Sequence, residues 1–161
     1  MERQAPESGT DRDAAYTLVA EQMRSLLDGC PGATAAMASA SALLMDTFDH
    51  VSWVGFYLPA DDGSLVVGPY QGPLACIRLP AGQGVCGAAA AARKTVVVPD
   101  VHAFPGHIAC DTRSRSEIVV PVMRDGRLLA VLDVDSHMPD AFRSTDREGL
   151  EALAALLAHV I

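Results

Sequence analysis

Behind Asp13, apolar residues recur at Tyr16, Val19, Met23, Leu26 and Leu27, the spacing of one helix face, and the pattern runs to Asp28. "GCPG" breaks it, and "ATAAMASASALLMDTF" predicts a second helix from Ala33 to Phe48, dense in Ala and Met and suited to close packing on something flat. The period then drops to two. "VSWVGFYL" (Val51–Leu58) reads as a strand, "PADDGS" as a turn and "LVVGPY" as the returning strand. "LACIRLP" predicts another short strand, "GQGVCGAAAAARK" a glycine-rich entry into a short helix, and "TVVVP" a strand. A long loop spans Pro99 to Arg115; loops of that length in compact domains are usually functional or disordered. "SEIVVPVM", the turn "RDG" and "RLLAVLDVDS" form a last hairpin. "STDREGLEALAALLAHVI" closes the chain as an amphipathic helix, with Ser144 or Thr145 as cap and Glu148 completing a capping box.

The expected fold class is α+β: a mostly antiparallel central sheet with the long helices on one face, leaving the other face for the long loop and a ligand. Met1 to Arg12, rich in Glu, Ser, Gly and Pro, is expected to be a loose tail, and 13–161 one domain.

Strand alternation says which side chains share a face. In the first strand Trp53, Gly55 and Tyr57 point one way, Val54 and Phe56 the other. A glycine between two large aromatics offers a gap roofed by rings, suited to a methyl or sulfur group, or else both rings are ordinary core. In "RLLAVLDVDS" Leu129, Val131, Asp133 and Asp135 share a face. Two successive acidic positions on an apolar face either reach solvent at a strand end or line a pocket. If buried together they raise one another's pKa, which provides a general acid and an anionic clamp for an ammonium group. Glu117, entering the neighbouring strand, can join them.

Composition narrows the partners. Of 161 residues, half are apolar and a fifth charged, and the net charge of -8 disfavours nucleic acid or an anionic membrane. The N-terminus has no apolar h-region, which predicts a cytoplasmic protein whose four cysteines are core residues, metal ligands or redox groups. Cys30 reads as incidental. Cys76 alternates within its strand; Cys86 sits in the first turn of the inserted helix, where the dipole favours a thiolate. Cys110 lies in the long loop beside His107, with the basic Arg113 and Arg115 following. Zinc competes for the same residues (His102, His107, Cys110, Asp111, Cys76, Cys86), but no C-x-x-C pair or helical H-x-x-x-H supports it. A zinc-dependent hydrolase is the reading that would follow.

"WVGFY", "GPYQG", "ACIRLPAGQGVCG", "VPDVHAFPGHIACDTRSRSEIVVP" and "AVLDVDS" together resemble the free methionine-(R)-sulfoxide reductases, single GAF-domain enzymes acting on the free amino acid. The resemblance runs from about Tyr16 to the C-terminus. It implies a GAF fold, an antiparallel sheet of about six strands flanked by helices, commonly homodimeric. It implies Cys110 as nucleophile, Cys76 as resolving thiol, and Cys86 as a second resolving or relay thiol. A carboxylic acid from Glu117, Asp133 or Asp135 would protonate the departing oxygen while the others hold the α-ammonium, and Trp53 and Tyr57 would cradle the S-methyl end. No metal or bound cofactor is implied; thioredoxin would restore the thiols. The helix-dipole argument favours Cys86 as the first thiolate, so the reversed order stays open. The alternative is a GAF-type sensor that binds a small molecule or registers oxidants without turnover.

Overall fold

The computed structural model describes residues 9–161, which form four α-helices and one six-stranded sheet. Helix α1 spans Gly9–Leu27 and α2 Ala33–Thr47. Strand β1 is Trp53–Pro59, β2 Leu65–Gln71 and β3 the two residues Arg78–Leu79. Helix α3, Gly84–Ala92, leads into β4, Val96–Val98. Strands β5, Ser116–Arg124, and β6, Arg127–Ser136, form the closing hairpin before α4, Ser144–Leu157. The sheet order is β3-β2-β1-β6-β5-β4 and every pairing is antiparallel.

The expected division of the sheet into two unlike faces is present. One face packs Val54, Phe56, Ile118, Val120, Leu132 and Val134 against the buried stripes of α1, α2 and α4. Leu150, Leu153 and Leu157 of α4 are spaced three and four apart and are fully buried there. Each such side chain contributes about 1.5–3 kcal/mol by leaving water. The small residues Ala36 and Ala40 let the α2 backbone approach the strands closely. The opposite face carries Trp53, Tyr57, Val119 and Val131, covered by α3 and by the loop after β4.

Four local expectations are corrected. Helix α1 begins four residues before Asp13, because Arg12 is not part of a loose tail. Its guanidinium donates to Asp146 Oδ2 at 2.6 Å and to the Ala141 carbonyl at 2.9 Å, tying the start of α1 to the start of α4. The rest of the expected tail, residues 1–8, lies outside the described residues. At α4 the cap is also different. Asp146, not Glu148, reaches back to accept from the Arg143 backbone N–H at 2.8 Å, and it accepts from the Tyr16 hydroxyl as well.

"LACIRLP" is mostly not a strand. Only Arg78 and Leu79 pair with β2, which leaves Cys76 in the connection before them. Finally, the β5–β6 register slips between Val122 and Met123, so Val122 faces Ala130 while Met123 faces Leu128. That bulge places Leu129 with the helical core and Leu128 on the opposite face, the reverse of simple alternation.

Candidate active site

The register across three central strands builds the floor of a cleft. Trp53 pairs with Asp135, and Asp135 with Glu117; one step along, Gly55 pairs with Asp133, and Asp133 with Val119. Three carboxylates therefore stand on two adjacent strands, on the face away from the large core. The wall is α3, which brings Cys86, and the roof is the pair of loops carrying Cys76 and Cys110. The cleft has an empty volume of about 540 Å3 including its open mouth. Trp53, Tyr57, Cys86, Cys110, Glu117, Asp133 and Asp135 all line it. Of the expected site residues only Cys76 is not among the lining, and it is covalently attached to it: Cys76 and Cys110, 34 residues apart, form a disulfide with Cα atoms 5.4 Å apart.

Why these loops sit there is visible in their hydrogen bonds. The Tyr57 hydroxyl donates to the Cys76 carbonyl at 3.0 Å, and the Trp53 indole N–H donates to the Pro73 carbonyl at 3.1 Å. Both aromatics of β1 thus anchor the Cys76 connection while also lining the cleft. The expected gap over Gly55 is not vacant. A Cβ there would lie 2.2 Å from Tyr70 Cβ and 2.8 Å from Trp53 Cη2, so the glycine exists to let Tyr70 and the indole close in. Tyr70 stacks on Trp53 with ring centroids 5.2 Å apart, and Tyr57 stacks on the same indole at 6.0 Å. Tyr70 was legible only as the last residue of a strand.

The long loop is ordered by its ends. Val101 N–H donates to the Arg115 carbonyl, and Arg115 N–H to the Ser136 carbonyl. Asp100 caps a single 3-10 turn at Val101–Ala103. Near Cys110 the first of the two basic neighbours, Arg113, is already committed. Arg113 pairs with Asp111, which also receives His137 Nε2 at 3.0 Å; these partners hold the Asp111 carboxyl down at about 2. His107 Nε2 lies 3.7 Å from Glu117 Oε2, and burial lowers its pKa, which keeps the ring neutral near pH 7.

The floor is an acidic trio. Burial, reinforced by the neighbouring Asp133 charge, pushes Glu117 well above the usual carboxyl range. Asp135 is raised for the same reasons. Burial lifts Asp133 to about 6, against a downward pull from its contacts with Glu117 and Cys86. One proton at least therefore resides on the trio near neutrality. Cys86 reverses the helix-dipole expectation. It is 3 % exposed and faces Asp133 and Glu117, so burial first, then those charges, raises its thiol pKa well above normal. A dipole contribution of at most about 2 kcal/mol does not offset full desolvation of a thiolate beside carboxylates.

The whole chain beyond residue 8 matches the GAF domain family, over residues 9–161. Protein YtsP of Bacillus subtilis is 44 % identical over 148 residues, covering 91 % of each chain. A free methionine-R-sulfoxide reductase of Escherichia coli is 42 % identical over 146 residues, 91 % of this chain and 88 % of the relative. The X-ray structure of free methionine-R-sulfoxide reductase from Neisseria meningitidis, in complex with its substrate, superposes with a TM-score of 0.90 at 45 % identity, over 98 % of this chain and 95 % of that one. The family match and the near full-length relatives agree, and the chain belongs to the GAF domain family, among the free methionine-R-sulfoxide reductases.

Proposed function

We propose that this chain reduces free methionine-R-sulfoxide to methionine. The observation that carries the reading is the Cys76–Cys110 disulfide at the mouth of a cleft floored by Glu117, Asp133 and Asp135. It is the oxidised end-state that the chemistry would leave. In the reduced protein the Cys110 thiolate attacks the sulfoxide sulfur, and a protonated carboxyl of the trio hydrogen-bonds and protonates the oxygen. Oxygen passes to Cys110 as a sulfenic acid and methionine departs. The Cys76 thiol then attacks the Cys110 sulfur, water leaves, and the disulfide forms. An external dithiol returns two electrons and two protons by thiol–disulfide exchange.

The remaining carboxylates hold the α-ammonium of a free amino acid, and the Trp53 and Tyr57 rings receive the S-methyl end. A methionine inside a polypeptide lacks that ammonium and leaves the acidic floor unpaired. This reading takes thioredoxin as the dithiol and a homodimer as the assembled form, both implied by the sequence resemblance, and the cytoplasm as the compartment. Cys86 is assigned the later, relay position, supported by its burial and high thiol pKa.

The test is turnover of each free sulfoxide epimer with a thioredoxin system, for wild type and each single cysteine variant. Consumption of the R epimer alone, abolished in Cys110→Ser, is the expected result. Full multi-turnover activity in Cys110→Ser would remove the assigned nucleophile, and stoichiometric binding without turnover would favour a sensor.

A further inference from the structure

We propose that Cys86, Glu117 and Asp133 form a binding site for a thiophilic divalent cation, Zn2+, which occupies the cleft floor and inhibits the enzyme. The ligating atoms of the three side chains, contributed by α3, β5 and β6, lie within 4.8 Å of one another, and all three residues are buried. Zn–S bonds of about 2.3 Å and Zn–O bonds of about 2.0–2.2 Å place tetrahedral ligands roughly 3.3–3.8 Å apart, so closing around one ion draws the three side chains together by no more than about 1.5 Å. A second observation points to a ligand at the same place. Asp133 is 6 % exposed, lines the cleft, and its Oδ1 has no hydrogen-bond partner. A buried acceptor without a donor is costly, and a cation removes that cost.

The donor set selects the kind of ion. One sulfur and two carboxylate oxygens suit Zn2+ or Cd2+, whereas Mg2+ and Ca2+ require six or more oxygen ligands. Water would complete four-coordination. Binding exchanges the Cys86 thiol proton and the proton of the carboxyl pair for the dication, so the ion occupies the acidic floor that the ammonium group needs. The inhibitory consequence rests on the reductase reading; the binding does not.

The test uses the full-length protein with the Cys76–Cys110 disulfide intact and Cys30→Ser in the background, which leaves Cys86 as the one free thiol among the described residues. Cd2+ alone is the probe, followed by its thiolate charge-transfer absorption and by equilibrium dialysis. One equivalent is expected, with absorption lost in Cys86→Ser and affinity falling at least tenfold in the isosteric Asp133→Asn and Glu117→Gln. Zn2+ bound beforehand to reduced wild type is expected to block single-turnover sulfoxide reduction. Absorption that survives Cys86→Ser, affinity unchanged by both carboxyl variants, or single turnover undiminished by bound Zn2+ overturns the proposal. Normal Cd2+ binding in a wild type inactive in metal-free buffer would instead remove the reductase reading and leave the cation site standing.

Discussion

The Tyr57 hydroxyl donates to the Cys76 backbone carbonyl at 3.0 Å, so the central strand of the sheet holds the loop whose cysteine is bonded to Cys110. Tyr57→Phe keeps the ring against Trp53 and removes that tie. A neutral hydrogen bond is worth about 0.5–1.5 kcal/mol, which corresponds to roughly a 2- to 12-fold change. The expected effect is on closure of the disulfide after oxidation, not on the first, oxygen-transferring step. Rapid-quench measurement of methionine release and thiol loss separates the two. Equal slowing of both would show that the hydroxyl acts elsewhere.

Gly55→Ala tests the close approach of the aromatics. Its Cβ would meet Tyr70 Cβ at 2.2 Å, and Tyr70 is held by its own strand, so the pair cannot simply separate. Overpacking of this kind costs about 1–3 kcal/mol, with the upper end expected here. Urea unfolding reads the loss. A variant as stable as wild type would mean that β1 and β2 can slide apart freely.

The acidic floor sets a pH dependence whose sign follows from its raised pKa values. Asp133 moves from an ordinary 3.8 up to about 6, so the folded state prefers the protonated carboxyl. Its favourable contribution is complete below about pH 4 and is lost as pH rises through about 6, by an amount on the order of a few kcal/mol. Unfolding free energy measured from pH 4 to pH 8 should therefore decline across that window in wild type and decline less in Asp133→Asn. Identical slopes in the two proteins would exclude Asp133 as the titrating group.

Thiol labelling distinguishes the two free cysteines of the oxidised protein. Cys30 is half-buried, whereas Cys86 is buried with its thiol pKa pushed up. Since the thiolate is the reacting species, iodoacetamide should modify Cys86 at least roughly tenfold more slowly than Cys30 until the protein is denatured. Peptide mass spectrometry gives both rates. Fast labelling of Cys86 in the native state would revive it as the first nucleophile.

Asp146 is the last position with a sharp expectation. It is fully buried, accepts from Arg12 and Tyr16 and caps α4, and its carboxyl is held below the ordinary range although burial alone would raise it. Asp146→Ala leaves the Arg12 guanidinium buried without its partner, a loss of about 3–5 kcal/mol. A change under about 1 kcal/mol in denaturant unfolding would show that the network is dispensable.

Much of the site could be read from alternation alone. Trp53 with Tyr57, and Asp133 with Asp135, share a face because β1 and the second half of β6 are regular. Alternation failed at Leu128 and Leu129, where one bulged residue inverts the faces, and nothing in "RLLAV" announces it. Cys76 was assigned to a strand because "LACIRLP" has strand-like residues, but the edge of the sheet pairs only two of them. The Asp146 cap depends on Arg12, 134 positions away in sequence, and local capping patterns cannot register such a partner. For Cys86 the local cue was sound but smaller than burial, which no window of sequence displays.

The disulfide between Cys76 and Cys110 has a further consequence for survival in an oxidising burst. While it is closed, Cys110 has no thiolate to offer a peroxide, and the irreversible rungs of sulfur oxidation are out of reach. In the proposed cycle, exposure to overoxidation lasts only as long as Cys76 takes to arrive. The protein that meets the most oxidant therefore spends its idle time in the form least damaged by it, and recovers when reductant returns.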